Sequence, residues 1–263
     1  MYPYPFNYFS SIFQFRKSFS NRKHLSWFQL IFTSLFLISL TLIPMALQTA
    51  AKDSYPLDTF IDQVFQPLDD SVMKEFADHV DIKDGQLHYD SHFGVQKNQY
   101  GQVIIGHHEG FGQEDKLTLY FDKEQLLISK HNKKLASIRY QAINQDALRS
   151  KQSLSTAISK DWFQQNRLII SLFLLLVSGL LLSFNFFILT FGASLFLYLT
   201  KKSRLFSFST FKECYNFTLN CLGLPTFFGI LGQPLTTMIM IQNILFVLYL
   251  VIAFYRTHFR EEN

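Results

Sequence analysis

Cysteine is nearly missing from this chain of 263 residues. It has two, Cys214 and Cys221, and both fall in an apolar stretch. A spacing of seven puts them about 10 Å apart along a helix axis, too far to pair within one helix. The polar middle of the chain has no cysteine, which excludes a disulfide framework there. Charge is scarce too: Asp, Glu, Lys and Arg make up 17% of the residues, against about 25% in a soluble domain. The net charge is only +4, and the basic residues cluster beside apolar runs, so nucleic acid is not an expected partner. No Gly-rich phosphate loop, nucleophile elbow or paired-histidine zinc motif occurs. The expectation is a protein that is not an enzyme and uses no cofactor.

What is abundant is long uncharged apolar sequence, with 30 Phe and 48% hydrophobic residues overall. Crossing a hydrocarbon core of about 30 Å takes about 20 apolar residues. Residues 27–48 form the first candidate crossing, with Pro44 near its outer end; an uncleaved anchor is favoured over a signal peptide, whose apolar region runs about 7–15 residues. Residues 167–200 form the second. Their length fits either one long helix or two spans broken around Ser183 to Asn185. Lys201, Lys202, Arg204 and Lys212 follow, and basic residues concentrate on the cytoplasmic side, so one crossing is expected. Residues 214–232 and 235–255 make the third and fourth, joined by the breaker group Gly232-Gln233-Pro234. Basic clusters in residues 1–26, 201–213 and 256–263 all agree with cytoplasmic termini and a cell-membrane location. The aromatic-basic stretch around Phe6, Phe9, Phe13 and Phe19 reads equally as an interfacial segment or a loose tail.

Residues 49–166 differ in kind. They carry 17 of the 20 acidic residues and 13 basic ones, a net of −4, and are long enough to bury a core. Residues 58–79 have helical spacing interrupted at Pro67. Asp84-Gly85 signals a turn, and residues 86–89, 102–105, 116–121, 125–129 and 135–140 read as strands. Residues 142–167 read as helix running into the second apolar run. The expected fold is a four-helix integral membrane protein, with a small α+β extracytoplasmic domain on an antiparallel sheet inserted between its first two helices.

Six of the eight histidines lie in that domain: His79, His88, His92, His107, His108 and His131. Strand and turn contexts do not align them for a metal, and a solvated surface is the expected reading. Asp81 to Gly85 lacks the ligand spacing of a calcium loop. Residues 27–48, 168–200, 214–232 and 235–255 contain no Asp, Glu, Lys, Arg or His, which argues against a proton-coupled pump. Their most telling polar residues are the amides Asn185, Asn216, Asn220, Gln242 and Asn243. Asn216 and Asn220 share one helical face, with Gly223 a turn further on. Helix-to-helix hydrogen bonding is the plainer role for these amides, and a polar solute path is the alternative. Gly179 with Ser183 offers a small-residue face for a membrane partner.

The layout resembles a bacterial membrane-protein family of unknown function, number 1189 of its series, which includes maltodextrin utilisation proteins. The resemblance rests on Tyr8-Phe9-Ser10-Ser11-Ile12-Phe13 through Lys23, on Leu42-Ile43-Pro44, and on Leu119-Tyr120-Phe121-Asp122-Lys123-Glu124. Its most telling part is Phe211-Lys212-Glu213-Cys214-Tyr215-Asn216-Phe217-Thr218-Leu219, followed by Leu224-Pro225-Thr226. It implies a link to maltose or maltodextrin uptake in Gram-positive bacteria, with no established activity and no catalytic residues. The expected partners are the lipid bilayer and a sugar uptake system or another membrane protein. The expected role is an accessory protein that senses or docks through its outer domain, with a small solute channel as the alternative.

Overall fold

The computed structural model describes residues 3–89, 95–106, 116–200, 208–232 and 234–258, which divide into two compact units. Residues 51–170 form the smaller unit; the larger comprises residues 1–50 and 171–263. The expectations about His92, His107, His108 and residues 201–207, 233 and 259–263 lie outside the described residues.

In the smaller unit, helix α4 (Asp70–His79) starts where its sequence supplies a cap. The Asp69 carboxylate accepts the Val72 amide at 3.0 Å, satisfying a donor that the first turn leaves unpaired. The helix expected over residues 58–79 is therefore half that length. A 3-10 turn at Leu57–Thr59 and irregular turns precede α4, because Pro67 cannot donate to a helical ladder. Strands β1 (Val80–Lys83) and β2 (Gln86–Tyr89) form a hairpin closed by Asp84 and Gly85, whose φ angles are 53° and 72°. Positive φ at both positions is what a two-residue turn with the strands' own twist requires. His131 and Asn132, at 50° and 57°, close a second hairpin between β6 (Gln125–Lys130) and β7 (Lys133–Arg139) in the same way.

With β3 (Gln96–Lys97), β4 (Gly101–Ile105) and β5 (Leu117–Phe121), these last strands make a five-stranded sheet in the order β3-β4-β5-β6-β7. The sheet is mixed rather than wholly antiparallel, because β4 and β5 run parallel, Gly101 opposite Leu117. Residues 106–116 separate them. That is too long for a tight turn and close to the length a parallel crossover needs. Phe76 of α4 packs edge-on against Phe121 at 4.8 Å between ring centres, and both are fully buried.

Helix α5 (Lys151–Thr200) is unbroken through Ser183 to Asn185. A short 3-10 helix, Gln145–Arg149, precedes it, so the helix expected from residue 142 begins at 151. Within the smaller unit, Asp161 of α5 is wholly buried and accepts the backbone amides of Gln141 at 2.8 Å and Ala142 at 2.6 Å.

The larger unit holds α3 (Trp27–Ala51), the rest of α5, α6 (Phe211–Gly229) and α7 (Leu235–His258). Among the described residues, three helices are long and apolar enough to cross a membrane: α3, α5 and α7. Helix α6 does not meet that description, although a crossing is expected over residues 214–232. Its 19 residues include Lys212, Glu213, Asn216 and Asn220, and it is buried along nearly its whole length. It is covered by α7 and by three N-terminal elements: α1 (Phe6–Ile12), α2 (Phe15–Ser20) and a 3-10 turn at Asn21–Lys23. The aromatic opening of the chain is thus folded into the core of this unit, with Tyr8 and Ile12 fully buried.

Candidate functional site

In the larger unit the two asparagines of α6 face the N-terminal elements. Asn216 donates from Nδ2 to the Asn21 carbonyl, and Asn220 to the Ser18 carbonyl, each at 3.1 Å. The Tyr8 hydroxyl donates to the Leu219 carbonyl at 3.2 Å. Tyr249 of α7 donates to the Ile12 carbonyl at 2.7 Å and lies 3.3 Å from the Ser18 hydroxyl. The Ile12 and Ser18 carbonyls lie in the last turns of α1 and α2, where a helix leaves acceptors without an intrahelical partner. The Asn21 carbonyl also accepts the His24 amide at 3.1 Å, and Leu219 lies within α6. Gly223 makes the approach possible. A Cβ there would lie 2.5 Å from Ile12 Cγ2 and 2.7 Å from the Tyr8 hydroxyl.

The five amides singled out from the sequence form three separate groups. Asn216 and Asn220 hold the N-terminal segment. Asn185 of α5 and Asn243 of α7 pair reciprocally at 3.4 and 3.3 Å. Gln242 of α7 donates to the Thr226 hydroxyl of α6 at 2.9 Å. Gly179 faces Leu42 of α3.

Glu213 escaped sequence reasoning. It is 8% exposed; its carboxylate accepts the Ser209 hydroxyl at 2.7 Å and the Ser209 amide at 3.1 Å. Arg22 Nε and Lys23 Nζ each lie 3.9 Å from it. The N-terminal basic cluster is therefore partly neutralised from within. The signal was present in Thr210-Phe211-Lys212-Glu213, a Ser/Thr-x-x-Glu pattern that marks a helix start, and the Thr210 hydroxyl does accept the Glu213 amide. Tyr8, Ser18 and Tyr249 carried no comparable signal, since only the packing gives them partners.

The smaller unit has a polar cleft of about 320 Å³, lined by Asp78, His79, Asp81, His88, Tyr89 and Gln145, among others. Gln145 braces it, accepting from the Ile82 amide at 3.2 Å and donating to the Val80 carbonyl at 3.1 Å. The Lys83 ammonium hydrogen-bonds Asp81 and holds that carboxyl below its ordinary range. His79 sits 3.9 Å from Glu75. His79 and His88 share this cleft, whereas His131 is spent on a hairpin turn. Among the described residues no group of three His, Cys, Asp or Glu is placed to hold a metal. Carboxylates, imidazoles, a phenol and an amide around one cleft suit hydrogen bonding to a hydroxylated ligand.

Comparison with known proteins adds a family and two relatives. Residues 6–257 match the family described as "Protein of unknown function (DUF1189)". The maltodextrose utilization protein MalA of Streptococcus pneumoniae is 54% identical over 267 residues, covering 100% of this chain and 99% of that protein. A Bacillus subtilis protein, YvdJ, whose name ties it provisionally to maltodextrin utilization, is 24% identical over 90% of this chain and 85% of its own length. No solved structure matches the chain.

Proposed function

Because the chain belongs to the DUF1189 family, whose description states no activity, we propose that it is a membrane accessory protein of maltodextrin utilization. The observation that carries this is its likeness to a maltodextrose utilization protein along the whole length of both chains. It has no enzymatic role in this reading. Four helices cross the cell membrane, both termini are cytoplasmic, and the smaller unit faces outward to sense a ligand or dock a sugar uptake system.

Several features support the membrane part. Phe28, Leu168, Leu176 and Leu248 are each more than half exposed on α3, α5 and α7, a surface unsuited to water and suited to lipid. Helix α6 is about 28 Å long at 1.5 Å per residue, enough to cross. Its enclosure by α1, α2 and α7 explains how it would carry buried amides and an acid through that depth. The solute-path alternative has less support, since the amides it needs are hydrogen-bonded to one another, to the Thr226 hydroxyl or to the N-terminal backbone. The polar cleft is the natural seat for a sugar oligomer in the outer unit, because hydroxyl groups are its best match.

Two measurements test this. In a Cys214→Ala, Cys221→Ala background, an impermeant thiol reagent on whole cells should label Glu124→Cys and Leu231→Cys but not Ser20→Cys. Labelling at Ser20 alone would invert the topology and end the outward-facing reading. A deletion strain should grow more slowly on maltodextrin and normally on glucose. Equal growth on both would end the link to maltodextrin.

A further inference from the structure

We propose that the outer face of α7 holds one anionic phospholipid, its acyl chain in an apolar groove and its phosphate between Arg16 and Arg256. The groove has a volume of about 230 Å³ and is walled by Phe15, Leu224, Pro225, Leu248, Tyr249 and Ile252. Leu245, Leu248, Tyr249, Ile252 and Arg256 succeed one another at helical spacing, so they share one face of α7. From Leu245 to Arg256 that face is about 16 Å long at 1.5 Å per residue. One leaflet of a hydrocarbon core of about 30 Å is about 15 Å deep. The groove therefore has the reach of one acyl chain.

It ends in a second depression, of about 430 Å³, lined by Phe13, Gln14, Phe15, Arg16 and Arg256. Phe15 borders both. The Arg256 guanidinium stands 5.0 Å from the Phe15 ring centre, which fixes one cation at the mouth of the groove. Among the described residues, no acidic side chain lines either depression. The Tyr249 hydroxyl is engaged with Ile12 and Ser18, so the ring is what it offers the groove. Two guanidiniums above a purely apolar channel match an anion joined to a hydrocarbon tail, and guanidinium pairs well with phosphate. A zwitterionic headgroup lacks the net charge, and a free phosphate lacks the tail.

This inference rests on the membrane reading above, which an alkaline carbonate wash tests separately: release of the chain from membranes would end that reading. The lipid itself is tested on purified full-length protein in neutral detergent, with native mass spectrometry counting bound phosphatidylglycerol or phosphatidylcholine of identical acyl chains. Each basic side chain near an anionic headgroup favours binding by about fivefold, so a preference of about twentyfold for phosphatidylglycerol is expected. Arg16→Gln with Arg256→Gln should abolish the preference, and the Arg→Lys pair should restore most of it. Leu248→Trp, which fills the groove, should weaken retention of both lipids. Equal binding of the two lipids, or an unchanged preference in the Arg→Gln pair, would overturn the proposal. Displacement by inorganic phosphate alone would assign the cations to a free anion and also overturn it. Efficient disulfide-linked dimers of Ile252→Cys in native membranes would give the groove to a second copy, with the same consequence.

Discussion

Asn216 and Asn220 are fully buried, and each spends its amide donor on one N-terminal carbonyl. Replacing either with Leu removes that bond, at a cost of about 1 kcal/mol, although the Asn21 carbonyl keeps the His24 amide at 3.1 Å. Asn216→Leu and Asn220→Leu should each lower the melting temperature in detergent and speed proteolysis within residues 3–23, and the double variant should do more. An unchanged proteolysis rate would show that the N-terminus is held by apolar packing alone. Asp69 works at the same scale in the other unit. Hydrogen bonds from the Ser71 hydroxyl, the Asn98 amide and the Val72 amide lower its carboxyl pKa to about 2. A pKa below the unfolded value of about 3.9 adds stability that is present above pH 4 and lost as pH falls through 2. Asp69→Ala should cost about 1 kcal/mol at neutral pH, the usual worth of such a cap. Its deficit against the native chain should shrink between pH 4 and pH 2 in thermal unfolding followed by circular dichroism.

Among the elements, α6 depends most on its neighbours. Its own residues include two amides, an acid and Pro225, so neither water nor lipid suits it alone. Gly223 lets α1 come close enough to cover it. Gly223→Leu should push α1 off α6, because even a Cβ would collide with Ile12 and Tyr8. A cysteine replacing Ile12, buried in the native chain, should then react with a small thiol reagent at least about tenfold faster, as expected when an opening costs about 1.4 kcal/mol less. No change in reactivity would place the close approach outside the forces that seat α1. The strands were easier to anticipate than their pairing. Asp84-Gly85 signalled one turn, and the strands expected over residues 116–121 and 125–129 lie within a residue of β5 and β6. The parallel partnership of β4 and β5 had no local mark, since it follows from how a connecting segment re-enters the sheet.

For the whole molecule, residues 3–23 act as a structural part of the larger unit. Deleting residues 3–23 should strip the cover from α6, expose Glu213 and the two asparagines, and sharply reduce the yield of detergent-stable protein. Full yield with a native melting temperature would show that α3, α5, α6 and α7 suffice. Composition and hydropathy alone marked the three long apolar helices and set the charged middle apart from them, because burial in lipid or protein imposes its preference residue by residue along the chain. The amides that would matter were also visible there, since polar groups in apolar runs stand out. Their partners were not. Whether Asn216 faces a solute, another helix or the chain's own beginning depends on contacts between residues nearly two hundred positions apart. Hydrogen bonding of that range leaves no periodic trace, and only the tertiary structure decides it.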